Sequence, residues 1–162
     1  MKKILLLLLF SISFAFSQES INYQTPSSEI LELVEYDRPP SVTYDRDKNF
    51  MLFLYRDNYK SIEDLSQKEL RLAGLRINPK KNIGSRITYY NNVKIKNLKS
   101  KNPEINDIIG IPNNPLIANI NWSPNQKNIA FTNTSSDGVR LWVLNLESRS
   151  LTKLSDLKLN SN

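Results

Sequence analysis

Histidine and cysteine are both missing from the 162 residues. Without an imidazole, neither a Ser-His-Asp triad nor a histidine-ligated metal site can be assembled inside the chain. Without a thiol there is no disulfide framework, and no lipid attachment at a leader cleavage site. Glycine is scarce as well: Gly74, Gly84, Gly110 and Gly138 lie too far apart for a phosphate-cradling loop or a nucleophile elbow. Long apolar runs are nearly absent. The single one, Ile4 to Phe10, continues through serines to Phe16 and falls short of the about 20 residues a membrane span requires.

That one run has a meaning of its own. Lys2 and Lys3 precede it, and Ala15-Phe16-Ser17 follows with small residues where a signal peptidase inspects the chain. Residues 1–17 are therefore expected to be a leader cut before Gln18, and the product to be exported, periplasmic or extracellular, with no membrane anchor. The cut removes two lysines and no acid, so the net charge of +6 falls to +4. A nucleic-acid binder would gather such an excess on one face. The densest run, Lys94, Lys96, Lys99 and Lys101, sits on a strand pattern and its exit, which is a solvated face, and no nucleic-acid partner is expected.

Along the expected mature chain, residues 18–40 form a lead-in. Ser27 and Ser28, then Glu29 to Val34, carry a serine cap, a first-turn acid and apolar residues at helical spacing, and Pro39-Pro40 closes the segment. Residues 41–162 read as strands. Ser41–Tyr44, a polar turn at Asp45–Lys48 and Met51–Tyr55 come first. Ser61-Ile62-Glu63-Asp64 resembles a capping box opening a small helical insertion through about Gln67. One alternating strand is expected from Glu69 to Ile77, then a hairpin with strands Arg86–Tyr90 and Val93–Leu98 about an Asn91-Asn92 turn. Residues 99–115 read as a connection. Beyond them, Leu116–Trp122, Lys127–Thr134, Val139–Leu144 and Leu151–Leu154 make four short strands in about 40 residues, the size of one propeller blade.

A repeat supports this pattern. Tyr44-Asp45-Arg46-Asp47-Lys48 coincides with Trp122-Ser123-Pro124-Asn125-Gln126 at an offset of 78, and Met51-Leu52-Phe53 then overlies Ile129-Ala130-Phe131. The offset approximates two blade lengths. The fold expected is mainly β: an incomplete β-propeller of two to three blades of four-stranded antiparallel sheet, with a short N-terminal helix and a small helical insertion. Two or three blades cannot close a ring, so further blades or partners are implied.

The segment Trp122-Ser123-Pro124-Asn125-Gln126-Lys127-Asn128-Ile129-Ala130-Phe131 resembles the blade signature of propellers in the prolyl oligopeptidase family and of periplasmic translocation-associated propellers. Glu69-Leu70-Arg71-Leu72-Ala73-Gly74-Leu75-Arg76-Ile77-Asn78-Pro79 is similar to a segment of the glutamyl endopeptidase branch of that family. So are Arg38 to Val42, Ser85-Arg86 with Tyr89-Tyr90, and Asp137 to Val143. Asn125-Gln126 and Tyr44 to Asp47 depart from the Ser-Pro-Asp-Gly form of the turn. The resemblance implies an exported serine peptidase, hydrolysing peptides after glutamate through an acyl-enzyme, whose catalytic residues lie in a C-terminal α/β-hydrolase domain. Its partners would be the peptide substrate, the remaining blades and the hydrolase domain. A non-enzymatic periplasmic propeller module that binds a protein or peptide is the alternative.

No catalytic, cofactor-binding or metal-binding residue is assigned within the chain, no cofactor is expected, and the chain alone is expected to be inactive. Ser150-Leu151-Thr152-Lys153 matches a Ser-x-x-Lys pattern but falls on a strand rather than the helix that such chemistry uses. Turn and cap roles account for the carboxylate pairs Asp45 with Asp47 and Glu63 with Asp64. Asn133-Thr134-Ser135 matches a glycosylation sequon and reads as a strand end. Trp122, Trp142, Phe131 and Tyr90 are expected to pack between sheets rather than line a ligand groove.

Overall fold

The computed structural model describes residues 24–160. The expected leader, residues 1–17, lies outside them. Chain contacts define two units, Met1–Tyr36 and Asp37–Asn162. The described part of the first holds helix α1, Ser28–Val34, with Ser27 at its N-cap. The Ser27 carbonyl accepts from the amides of Ile30 and Leu31, while its hydroxyl does not cap the helix.

Asp37–Asn162 is mainly β: among the described residues, eleven strands form three antiparallel sheets. The first sheet has the order β1-β2-β6-β7, from Ser41–Tyr44, Phe50–Tyr55, Asn92–Asn97 and Ile105–Asp107. The second is a sequential meander of β8 (Ile117–Trp122), β9 (Asn128–Ser135), β10 (Gly138–Asn145) and β11 (Leu151–Lys153). Between β2 and β6 the chain inserts helix α2 (Ile62–Ser66) and a three-stranded sheet of β3 (Leu70–Leu72), β4 (Leu75–Asn78) and β5 (Ile83–Gly84).

The repeated turns are built alike. In the first, Phe50 N–H donates to Asp45 Oδ1 at 2.7 Å, and Lys48 takes φ 54°. In the second, Asn128 N–H donates to Ser123 Oγ at 3.0 Å, and Gln126 takes φ 56°. A short side-chain acceptor at the first turn position holds the returning strand, which is the requirement Asp and Ser share there. Equivalence continues into the third strand: Phe50 opposes Asn97 as Asn128 opposes Asn145. Leu98 N–H donates to Asn49 O as Leu146 N–H donates to Lys127 O. The offset there is 48, so the 78-residue offset is one sheet unit plus a 30-residue insertion, not two units.

The two four-stranded sheets share one core but bury opposite faces. Leu52, Leu54, Val93 and Ile95 are the buried positions of the first sheet. Their equivalents in the second by these offsets are Ala130, Thr132, Leu141 and Val143. The second sheet instead contributes Ile129, Phe131 and Leu144 to the same core. Because side chains alternate along a strand, a one-residue change of phase puts opposite faces inward. The sheets are thus related by stacking front to back, not by a face-to-face dyad.

Besides the offset, three expectations are corrected. Glu69 to Ile77 is not one strand: Ala73 (φ 46°) and Gly74 (φ 93°) form a two-residue turn with both φ angles positive, folding β3 onto β4. Arg86–Tyr90 and Val93–Leu98 do not form a hairpin. β6 pairs instead with β2 along six residues, and Asn91 N–H donates to Tyr55 O. The apolar β2 offers a full ladder with matching buried faces, which outweighs a local Asn-Asn turn. Tyr90 makes an isolated bridge to Ile117. Finally, residues 99–115 contain β7, the fourth strand of the first sheet. The capping box is as expected, with Asp64 N–H donating to Ser61 Oγ at 3.1 Å.

Candidate functional site

Residues between β2 and β6, joined by Arg38 and Leu116, line a cleft of about 660 Å³. Each wall has a local reason for its position. The β3–β4 turn brings Arg71 and Arg76 to the same side as Glu69, the residue ahead of β3. Glu69 Oε1 accepts from Arg71 Nε at 3.0 Å and Arg76 Nη1 at 2.8 Å, while its Oε2 accepts from Ser85 Oγ at 2.5 Å. The Ser85 hydroxyl above all, then the two guanidinium groups, holds the Glu69 carboxyl down at about 2, below its ordinary 4.5. A carboxylate so stabilised is a structural anchor, not a proton acceptor. Asn78 is buried; its Nδ2 donates to Gln67 Oε1 and its Oδ1 accepts the amides of Lys80 and Lys81, fixing the loop into β5.

Cations dominate the lining. Besides Arg71 and Arg76, it carries Arg38, Arg56, Lys60, Lys81 and Arg86, against the carboxylates of Asp57, Asp64 and Glu69. Two of those acids are engaged locally, Asp57 by Asn91 Nδ2 at 2.7 Å and Asp64 by Ser61 Oγ at 2.9 Å. None of Arg38, Arg56, Lys60, Lys81 and Arg86 makes an ion pair with another described residue. Arg56 Nε is buried with no hydrogen-bond partner among the described residues. Tyr59, Leu65 and Tyr89 add apolar surface, and burial pushes the Tyr89 phenol up.

The structure distributes the other singled-out residues elsewhere. Ser150 sits ahead of β11 within hydrogen-bond distance of Ser148 Oγ, and Lys153 pairs with Asp156, so no Ser–Lys dyad exists. Asp45 is buried in its turn while Asp47 is exposed. Asn133 Oδ1 accepts the amide of Leu116, so the sequon asparagine is committed to the backbone. Phe131 is in the core, with Tyr90, Trp122 and Trp142 packed against it. Lys94 pairs with Asp107 at 3.0 Å across β6 and β7. Among the described residues no group of three or more acidic side chains is placed to hold a metal, and no helix is long and apolar enough to cross a membrane.

The cationic cleft was not legible as a motif, since its charges come from a stretch running from Arg38 to Arg86. A count of arginine and lysine over residues 56–86 would have indicated it.

No family model matches the chain, and no solved structure matches it. Two curated relatives do. The chain is 29% identical over 157 residues to the probable glutamyl endopeptidase, chloroplastic, of Oryza sativa subsp. japonica, covering 90% of this chain and 17% of that protein. It is 31% identical over 150 residues to the protein of the same name from Arabidopsis thaliana, covering 86% of this chain and 16% of that protein. The chain thus spans about a sixth of the length of these relatives, and it is a distant, peptidase-related homologue of them.

Proposed function

We propose that Asp37–Asn162 provides two consecutive blades of a β-propeller in an exported serine peptidase of the prolyl oligopeptidase family, glutamyl endopeptidase branch. The observation that carries the blade reading is the front-to-back stacking of two sheets whose turns share one design. In a ring of blades each sheet presents one face to the preceding neighbour and the other to the following one, which demands this change of phase. The peptidase reading draws its support from similarity along nine-tenths of the chain to two proteins named as glutamyl endopeptidases. Within such a protein this region filters or docks peptides, and a hydrolase domain elsewhere performs acyl transfer by a serine.

The test reads the DNA beyond the codon for Asn162 and labels the whole protein with a fluorophosphonate. A Gly-x-Ser-x-Gly elbow followed by Asp and His, with label lost on substitution of that serine, is the expected outcome. A frame without a hydrolase segment overturns the peptidase reading and favours a binding module. The leader is tested separately: N-terminal sequencing of the exported protein should begin at Gln18.

A further inference from the structure

We infer that the cleft lined by Arg38 and residues 56–91 docks a peptide segment carrying two or more carboxylate side chains. Five of its cations lack an ion-pair partner among the described residues, although the nearby Glu69 is bonded three times over. One of the five, Arg56, keeps a buried Nε–H with no acceptor among the described residues. A buried cationic donor is costly when unpaired, and a carboxylate oxygen satisfies it in a charge-assisted bond. The volume of about 660 Å³ suits a few residues of peptide. Tyr59 and Leu65, exposed at 69% and 71%, offer apolar surface beside the charges.

A compact phosphate group fits less well. Such sites gather backbone N–H groups at a helix N-terminus or a glycine nest. Here α2 is a five-residue helix whose Asp64 amide is already taken by Ser61, and Gly84 is the one glycine of the lining. Five cations without an ion-pair partner among the described residues, on the lining of one cleft of about 660 Å³, match several carboxylates on one chain better than a single compact group. That the charges are carried by a peptide rests on the peptidase-related reading; the cation set itself does not.

The experiment is fluorescence anisotropy of the exported chain with a fluorescein-labelled, N-acetylated hexaglutamate, a matched hexaglutamine, and inorganic pyrophosphate as competitor. Hexaglutamate should bind at least about tenfold more tightly than hexaglutamine, and R38Q/R86Q should weaken it by about tenfold. Both arginines are exposed, so the variant should keep its circular dichroism spectrum. K99Q/K101Q, which removes the same charge from exposed residues outside the cleft, should leave affinity within about twofold. Equal loss in the two variants overturns the site, as does equal binding of hexaglutamine. Displacement by pyrophosphate at lower concentration than by unlabelled hexaglutamate overturns the peptide in favour of a phosphate ligand. If a hydrolase segment is found and hexaglutamate does not bind, the docking site falls alone. If binding holds without such a segment, the peptidase reading falls alone.

Discussion

The two four-stranded sheets follow the same plan from one turn to the next, yet only the first is interrupted by a functional candidate. In the second sheet β9 and β10 are joined by Ser136 and Asp137 alone. In the first, the equivalent connection carries a helix, a three-stranded sheet and a cationic cleft. The insertion leaves the register of β2 against β6 unchanged, since Tyr55 and Asn92 remain opposite each other. Two strand ends a few ångströms apart impose little on the chain that joins them, and lengthening such a loop adds closure entropy only logarithmically. A scaffold position is thereby free to acquire a binding surface without rebuilding the core.

The largest effects should test whether the sheets are one cooperative body. Leu52 is 1% exposed and Leu144 0%, on opposite sides of the shared core. Leu52→Ala and Leu144→Ala should each cost about 2–5 kcal/mol, in a single denaturant transition monitored by tryptophan fluorescence and circular dichroism together. Two separated transitions would break the shared-core description.

Smaller effects should separate the matched turns. Asp45 is 3% exposed and its Oδ1 holds the Phe50 amide, whereas Ser123 does the same in a partly exposed setting. Asp45→Ala should cost about 2 kcal/mol and Ser123→Ala about 1 kcal/mol in urea unfolding, because the acceptor lost from the first turn is a buried carboxylate and that lost from the second a half-buried hydroxyl. Equal costs would mean that burial does not distinguish the two turns.

A local effect follows from Glu69. Its carboxyl titrates near 2 in the folded chain against 4.5 when free, so the contribution is complete above about pH 4.5 and is lost as the pH falls toward 2. Amide exchange of β3 and β4 should therefore accelerate over that window while β9 and β10 stay protected, and Glu69→Gln should flatten the dependence. Uniform acceleration across both sheets would tie the insertion to the global core instead.

The smallest effect on stability should come from the largest change in sequence. No residue between 56 and 89 belongs to the main core cluster, and Ile83 is buried apart from it. Replacing residues 57–89 by a short Gly-Ser linker should shift the global transition by no more than about 1 kcal/mol while abolishing hexaglutamate binding. A loss of several kcal/mol would make the insertion part of the scaffold.

Much of the second sheet could be read directly, since each of its strands is followed by its partner and the turns at Ser123 and Gly138 are local chemistry. In the first sheet β1, β2 and the strand at Val93–Leu98 were readable. The partner of that third strand is not legible, because it lies across the insertion and Asn91-Asn92 mimics a turn that the longer ladder overrides. The candidate cleft was not legible, because no short motif holds it: its cations are spaced over almost fifty residues, and only Arg71 and Arg76 meet through the β3–β4 fold.

What the chain determined by itself is local or compositional. The lack of histidine excludes an internal triad, Asp45 and Ser123 form equivalent turns, and Ser61 to Asp64 caps a short helix. The tertiary structure decided which strands pair across the insertion, which face of each sheet is inward and which cations share a cleft. Those outcomes depend on burial summed over many distant residues, and a side chain's face flips with a one-residue change of phase that only packing selects.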